Sequence, residues 1–437
     1  MAKCRTRRNS SPSRGDPTAH QGPRCIVTDL EDKAAVRFLR SLEAVRERSE
    51  NIYAAGLRGE LRHFRVNESA LDAVAEEVVA VTRESYPDLR VPYHSRWNHF
   101  RAGGIDRVAE LDQHLAELEP TERARVHVDL VVTSVLLDAG AGDAWRFMDR
   151  DANAYARSEG LAVASLRMFE AGAFSADPAR PFRADADALH AVDEHVLARG
   201  FQVREDNPLV GLRGRAALLS KLGGAVRRAP HVFGAVDPRV GNLVDHLLEH
   251  LEGDALPATQ IFRHVVTWFA PIWPGRLELA GENLGDVWLH PHAGGSGRSA
   301  GLVPFHKLSQ WLTYSMLEPF EWLGVRVTGI GALTGLPEYR NGGLFVDLGA
   351  LEPMHADVLG VAHRPGAEVI VEWRALTVAL LDRTAERVRA RLGKTAEEMP
   401  LANVLEGGTW AAGRRVAARL RPGGPPPIRI ESDGTVF

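Results

Sequence analysis

A chain of 437 residues with 53 basic and 57 acidic side chains has a formal charge of only −4, without the basic footprint that binding to a phosphate backbone demands. The pI near 6.5 agrees, and no run approaches the roughly 20 apolar residues of a bilayer span, so neither nucleic acid nor membrane is an expected partner. The two cysteines, Cys4 and Cys25, both lie in the first 25 residues, which excludes a disulfide or thiolate cluster from the rest of the chain and suits a reducing cytoplasm.

Residues 1–25 set basic side chains among serines, prolines and glycines with almost nothing apolar to bury, and a disordered basic tail is expected there. Residues 26–437 are expected to form one large, mainly helical catalytic body with small β additions. From Asp32 the stretches EDKAAVRFLRSLEAVRERSENIYAAGLRGEL and ESALDAVAEEVVAVTRESY carry apolar residues at helical spacing between charges, as surface helices do. Next, VPYHSRWNHFRAGG gathers Tyr93, His94, Arg96, Trp97, His99 and Arg101 in nine residues, a density that packing alone rarely needs. A histidine among aromatics is also commonly a hydrogen-bonded core residue.

VHVDLVVTSVLLDAGAGDAWRF is apolar almost all round and reads as a buried helix. Arg157 and Glu159 then stand just before another apolar helix, where they serve a site or merely cap, with capping the natural use of Ser158. Further helices follow to about residue 300. His246 and His250 sit one turn apart there but do not make the H-E-x-x-H zinc pattern. A glycine-serine loop, GDVWLHPHAGGSGRSAG, leads into the next segment, either as a phosphate cradle or as a lid or plain connection.

That next segment, Leu302 to Gly349, interleaves aromatic, charged and glycine positions as no other part of the chain does. Pro304 suits a first helical turn, and Lys307, Gln310, Trp311, Tyr314 and Glu318 fall on one stripe of the helix that follows. Pro319 removes a donor and displaces the carbonyl of Ser315, four residues back. Downstream, Glu338, Tyr339, Arg340 and Asn341 precede Gly342 and Gly343, a pair able to bend closely around a ligand or simply to end an element. GAEVIVEWRALTVALLD runs from a short strand into a long helix, with Glu372 and Arg374 at the transition. Glu406, Gly407, Gly408, Thr409 and Trp410 repeat the local style of carboxylate, glycine pair and aromatic, and the last residues alternate like an edge strand.

The motifs VPYHSRWNHFRAGG, YARSEGLAVASLRMF, LVPFHKLSQWLTYSMLEP, LTGLPEYRNGGLFVD, VEWRALTVALLD, LEGGTWAAGR and IESDGTVF together resemble the uracil catabolism protein 4 family. The likeness covers nearly the whole chain after the basic tail. EVIVEWRALTVALLD with the preceding YSMLEP is also similar to the queuosine-salvage nucleosidases, whose fold resembles helix-hairpin-helix DNA glycosylases. The two resemblances together imply hydrolysis of the N-glycosidic bond of a ribosylurea or its 5′-phosphate, a small nucleoside- or nucleotide-derived substrate, with urea leaving.

Such chemistry implies a carboxylate beside the anomeric carbon and a proton donor for departing urea. Glu338 or Asp347 is the expected carboxylate, with Glu318 and Glu372 as substitutes, and Tyr314 or His306 the expected aid to the leaving group. Lys307, Arg340 and Arg374 are expected to hold a phosphate or the urea carbonyl. Gln310, Trp311, Tyr339, Asn341, Tyr93, His94, Arg96, Trp97 and His99 complete the expected binding set. No metal or cofactor is expected. An amidohydrolase acting on an open-chain ureido compound, a non-catalytic partner of other pathway enzymes, and a purely structural role for these motifs are the competing readings.

Overall fold

The computed structural model describes residues 23–431, so the expected disordered tail lies outside the described residues as far as residue 22, while Pro23 opens the helix Pro23–Leu39. The protein is mainly α, with small two-stranded ladders at the joints between helices. One continuous apolar core runs from Leu42 to Ile428. A smaller cluster, including Val36, Leu39, Leu284 and Val287, seats the first helix against the 279–302 region. Among the described residues no helix is long and apolar enough to cross a membrane.

Two helices organise the interior. Glu368–Leu392 packs against Leu42–Leu57, Leu71–Ser85 and Tyr339–Asp347, while Lys307–Trp322 packs against Pro120–Leu136 and Ala258–Trp268. Every residue from Leu308 to Phe320 is buried, which explains why this segment is apolar or neutral on nearly every face. Each fully buried Leu there, such as Leu312 and Leu317, contributes about 1.5–3 kcal/mol over an exposed one.

Several expectations need correction. The run after Asp32 is two helices, not one, because Ser41 breaks it and caps the second by accepting from the Ala44 N–H at 3.1 Å. Leu42–Leu57 buries Ile52, Tyr53 and even Arg48, so it is an interior helix. Pro304 does not open a helix; it ends the strand Leu302–Pro304, which pairs antiparallel with Val287–Leu289. The helix starts at Lys307, after His306 turns the backbone through the left-handed region at φ 47°. Its first N–H groups have no partner within the helix, and the carboxylate of Asp286 accepts from Lys307 N at 3.0 Å.

The glycine-serine loop leads into the strand Leu302–Pro304 rather than directly into a helix. It wraps the buried guanidinium of Arg48, which donates to Ala293 O and Ser299 Oγ, each at 3.3 Å. A Cβ on Gly295 would fall 1.8 Å from that guanidinium. The residues just before Glu372 are not a strand either, since helix runs from Glu368; a β-branched stretch buried all round is compatible with both forms, and packing chose helix. Finally, Gly342 and Gly343 lie inside the helix Tyr339–Asp347, without the positive φ that a sharp bend would use. Gly342 instead lets that helix approach Trp373 and Thr377, where a Cβ would meet side chains at 2.7 Å.

Candidate functional site

The turn ahead of Pro319 proves to be a docking point. The displaced Ser315 carbonyl accepts from the Trp97 indole N–H at 2.8 Å, and Ser315 Oγ accepts from the Arg96 N–H at 3.0 Å. These bonds seat the short helix Arg96–Phe100 against Lys307–Trp322 and bring His94 and His99 to the same cavity as Lys307 and Trp311. The cavity measures about 670 Å³, within the range typical of small-molecule sites. Further walls come from the loop 138–143, the start of the helix Arg157–Glu170, residues 336–340, Trp410, and the segment 422–430.

Glu338 faces this cavity as the N-cap of Tyr339–Asp347. Its Oε1 accepts from Asn341 N at 2.5 Å and its Oε2 from Arg340 N at 2.7 Å, so the carboxylate is fixed at the positive end of the helix. Burial pushes its pKa up, while the two backbone N–H groups and the charge of Lys307 oppose the shift. Lys307 is driven the other way: burial lowers its pKa, and the charges of Glu338 and Asp138 partly restore it. Burial also pushes the neighbouring Tyr339 phenol up to about 12. Arg340 spends one N–H on Gly424 O at 2.7 Å, which ties the 422–430 rim to the floor.

On the opposite wall His94 lies against Trp311, ring centroids 4.7 Å apart, with its Nδ1 2.8 Å from Glu406 Oε2. His99 Nδ1 accepts from the Arg96 guanidinium at 3.2 Å, so its proton resides on Nε2. Burial and Arg96 keep this imidazole below its ordinary pKa, and it is a neutral hydrogen-bond donor at pH 7. Arg96 itself is wholly buried, paired with Asp138 at 2.9 Å and bonded to Ser134 Oγ at 2.8 Å.

The remaining expected site residues lie outside the cavity wall, and all but Glu318 make hydrogen bonds there. Gln310 accepts from Thr334 N at 2.9 Å and donates to Thr334 Oγ1 at 2.6 Å, and the Tyr314 hydroxyl donates to Thr334 O at 2.9 Å. Together they hold the loop that delivers Glu338. Asn341 anchors the same turn through Leu336 O at 3.1 Å. His306 Nε2–H is spent on Leu39 O at 2.7 Å. Asp347 forms a two-point ion pair with Arg421, at 2.7 and 2.6 Å. Tyr93 donates to Glu321 at 2.9 Å, and the nearby Glu318 is buried away from the cavity, its carboxyl pushed up to about 8 by burial.

Arg374 meets Asp286 at 2.8 and 2.7 Å, and Asp286 in turn receives the Lys307 N–H, so Arg374 reaches the site only through the start of that helix. Burial raises the Asp286 pKa, but the charge and hydrogen bonds of Arg374, with the Lys307 and Trp288 N–H groups, outweigh it and hold the carboxyl below its ordinary range. Glu372 is fully buried, its Oε1 accepting from His63 N and Phe64 N.

Sequence reasoning missed Asp138, Arg146 and the 422–430 rim. For Asp138 a signal existed: it is the first acid after a long apolar run and opens the glycine-rich DAGAGD. Arg157 and Ser158 do line the cavity, but Ser158 caps nothing with its side chain; its carbonyl accepts from Arg96, and Arg157 holds a left-handed φ of 55°. Strain of that kind in a non-glycine residue costs on the order of 1 kcal/mol and gathers at functional sites. The glycine pair before Trp410 sits in a π-helical turn, Leu405–Thr409, where Gly408 lets the chain approach Val78 O.

Among the described residues, two groups elsewhere have the composition of metal sites: His246, His250 and His264, and His63, Glu368 and Glu372. In the first, His264 Nδ1 accepts from the Trp268 indole at 3.2 Å, so its proton is on Nε2 and no lone pair remains for a metal.

Residues 38–437 match the family model described as "Protein of unknown function (DUF1688)". "Protein urg3" of Schizosaccharomyces pombe is 40% identical over 412 residues, covering 92% of this chain and 99% of that one. "Uracil catabolism protein 4" of Lachancea kluyveri is 36% identical over 437 residues, again covering 92% and 99%.

Proposed function

Since the chain belongs to the DUF1688 family, with relatives one of which is named for uracil catabolism, we propose that it acts in uracil catabolism, hydrolysing the N-glycosidic bond of a ribosylurea or its 5′-phosphate. The observation that carries this reading is the juxtaposition of Glu338, Lys307 and Asp138 in a cavity walled by Trp311, Tyr339 and Trp410. Carboxylates suit a sugar cation, cations suit a phosphate or a carbonyl, and aromatic rings suit a flat urea group or the apolar face of a ribose.

In the proposed reaction the C1′–N bond breaks, its electron pair goes to the urea nitrogen, and that nitrogen takes up one proton. Water adds to C1′ and gives up one proton, so ribose or its phosphate and urea are the products. Glu338 stabilises the oxocarbenium-like transition state and accepts the proton of the attacking water. The two backbone N–H groups and Lys307 favour its ionised form against the cost of burial. His99 Nε2–H donates a hydrogen bond to the urea oxygen. Lys307, Arg340 and Arg157 supply positive charge for a 5′-phosphate.

The test is incubation of the purified protein with ribosylurea and with its 5′-phosphate, scoring free urea. Release from at least one substrate, abolished by heat denaturation, is the expected result. No release from either overturns the assignment.

A further inference from the structure

We propose that His63, Glu368 and Glu372 bind one divalent first-row metal ion, for which Zn²⁺ and Mn²⁺ are suitable probes. Glu368 and Glu372 stand one turn apart at the start of the helix Glu368–Leu392, and His63 immediately precedes the strand Phe64–Val66. One ligand atom from each of the three lies within 4.8 Å of the others.

Glu372 has no exposed surface, and its orientation is set by the His63 and Phe64 N–H groups, which donate to Oε1 at 3.1 and 2.9 Å. Its other oxygen, Oε2, is buried without a hydrogen bond. His290 Nε2 stands 3.5 Å away without making a hydrogen bond, so it offsets only part of the lost hydration, and a buried carboxylate oxygen in that state calls for an ion or a water. His63 is arranged as a ligand should be. Its Nδ1 lies 2.9 Å from His355 Nε2, and its Nε2 is buried without a partner, 3.8 Å from Glu368 Oε1. Metal-bound histidines characteristically spend one ring N–H on an outer partner and turn the other nitrogen to the ion.

His290 is an outer partner rather than a ligand. Its Nδ1 accepts from His292 N at 3.2 Å, so the proton sits on Nε2, which faces Glu372 Oε2 at 3.5 Å. With His63 neutral, the three ligands bring two negative charges, which a divalent cation balances. Ligand atoms around a zinc ion are about 3–3.5 Å apart, so the group must draw in slightly. Glu368 is able to move, its side chain being 36% exposed, and that exposure also opens a route from solvent.

The experiment uses the full chain stripped with a chelator, dialysed, and titrated separately with Zn²⁺ and Mn²⁺ by calorimetry and thermal unfolding. One equivalent is expected to bind, with Tm rising as metal is added. Glu368→Gln, at a partly exposed position that should not disturb folding, and His63→Gln should each weaken Kd at least about tenfold. His250→Gln should leave the titration unchanged. The proposal is overturned if neither metal binds saturably, if Glu368→Gln and His63→Gln both bind like the parent, or if His250→Gln is the variant that loses binding.

Discussion

The two ends of the helix Tyr339–Asp347 carry one carboxylate each, and the structure uses them differently. Glu338 accepts from two backbone N–H groups at the N-terminus and faces the cavity, whereas Asp347, at the C-terminus, is locked to Arg421 beneath the rim. Both side chains have the chemistry that a glycosidic hydrolysis demands. What separates them is position: the N-terminal end offers donors and a favourable dipole to a carboxylate, while the C-terminal end offers neither and calls for a cation. A carboxylate at an N-terminus can stay ionised beside a substrate, and one at a C-terminus needs an arginine of its own.

Glu338→Asn is the strongest way to break this comparison. Asparagine caps helices as well as a carboxylate does, so stability should stay within about 1 kcal/mol of the parent, while kcat for urea release falls roughly 10²-fold or more. Full turnover by a stable Asn variant would show that Glu338 only caps. Asp347→Asn should do the reverse. Losing the two-point pair with Arg421 should cost about 1–3 kcal/mol by denaturant titration, with kcat per folded molecule nearly unchanged. If turnover collapses without loss of stability, the roles of the two carboxylates are exchanged.

Cations sharpen the same comparison. Lys307→Ala and Arg340→Ala should raise KM about tenfold for the 5′-phosphate and less for the unphosphorylated compound, because a lost cation matters most to a dianion. Equal effects on both would place the phosphate elsewhere.

Glu318 adds a third carboxylate, one that helix position does not help. Its pKa of about 8 in the folded state lies above its ordinary 4.5, so the folded protein holds a proton there that the unfolded chain has already released. Its contribution to stability is therefore complete below pH 4.5 and is lost as pH rises towards 8. Glu318→Gln should flatten the fall of stability over that window by about 1 kcal/mol per pH unit. An unchanged slope would mean that Glu318 is ionised in the fold.

Much of this is legible in the sequence. Helical periodicity showed a mainly α chain, and the mixture of aromatic and charged side chains in 302–349 and 91–104 marked two walls of the cavity. Proline chemistry located the Ser315 carbonyl, the atom that joins those walls through Trp97. The errors share a cause. Lys307, Gln310, Trp311, Tyr314 and Glu318 do share a stripe, yet Lys307 and Trp311 meet the cavity, Gln310 and Tyr314 meet Thr334, and Glu318 is buried beside neither. A helix face indicates which side chains lie together, and nothing in its spacing says what will be packed over each turn.

The sequence by itself determined the local terms: that the chain is mainly helical, where a proline frees a carbonyl, and which residue types are present to do chemistry. These depend on neighbours within a few positions, and the chain states them outright. Only the tertiary structure decided which polar groups are spent and which are left over. Asp286 caps Lys307 from 21 residues away, Arg421 reaches Asp347 across 74, and Glu372 holds the N–H groups of His63 and Phe64 across about three hundred. A buried polar group must find a partner wherever the fold brings one, and the sequence does not record that distance.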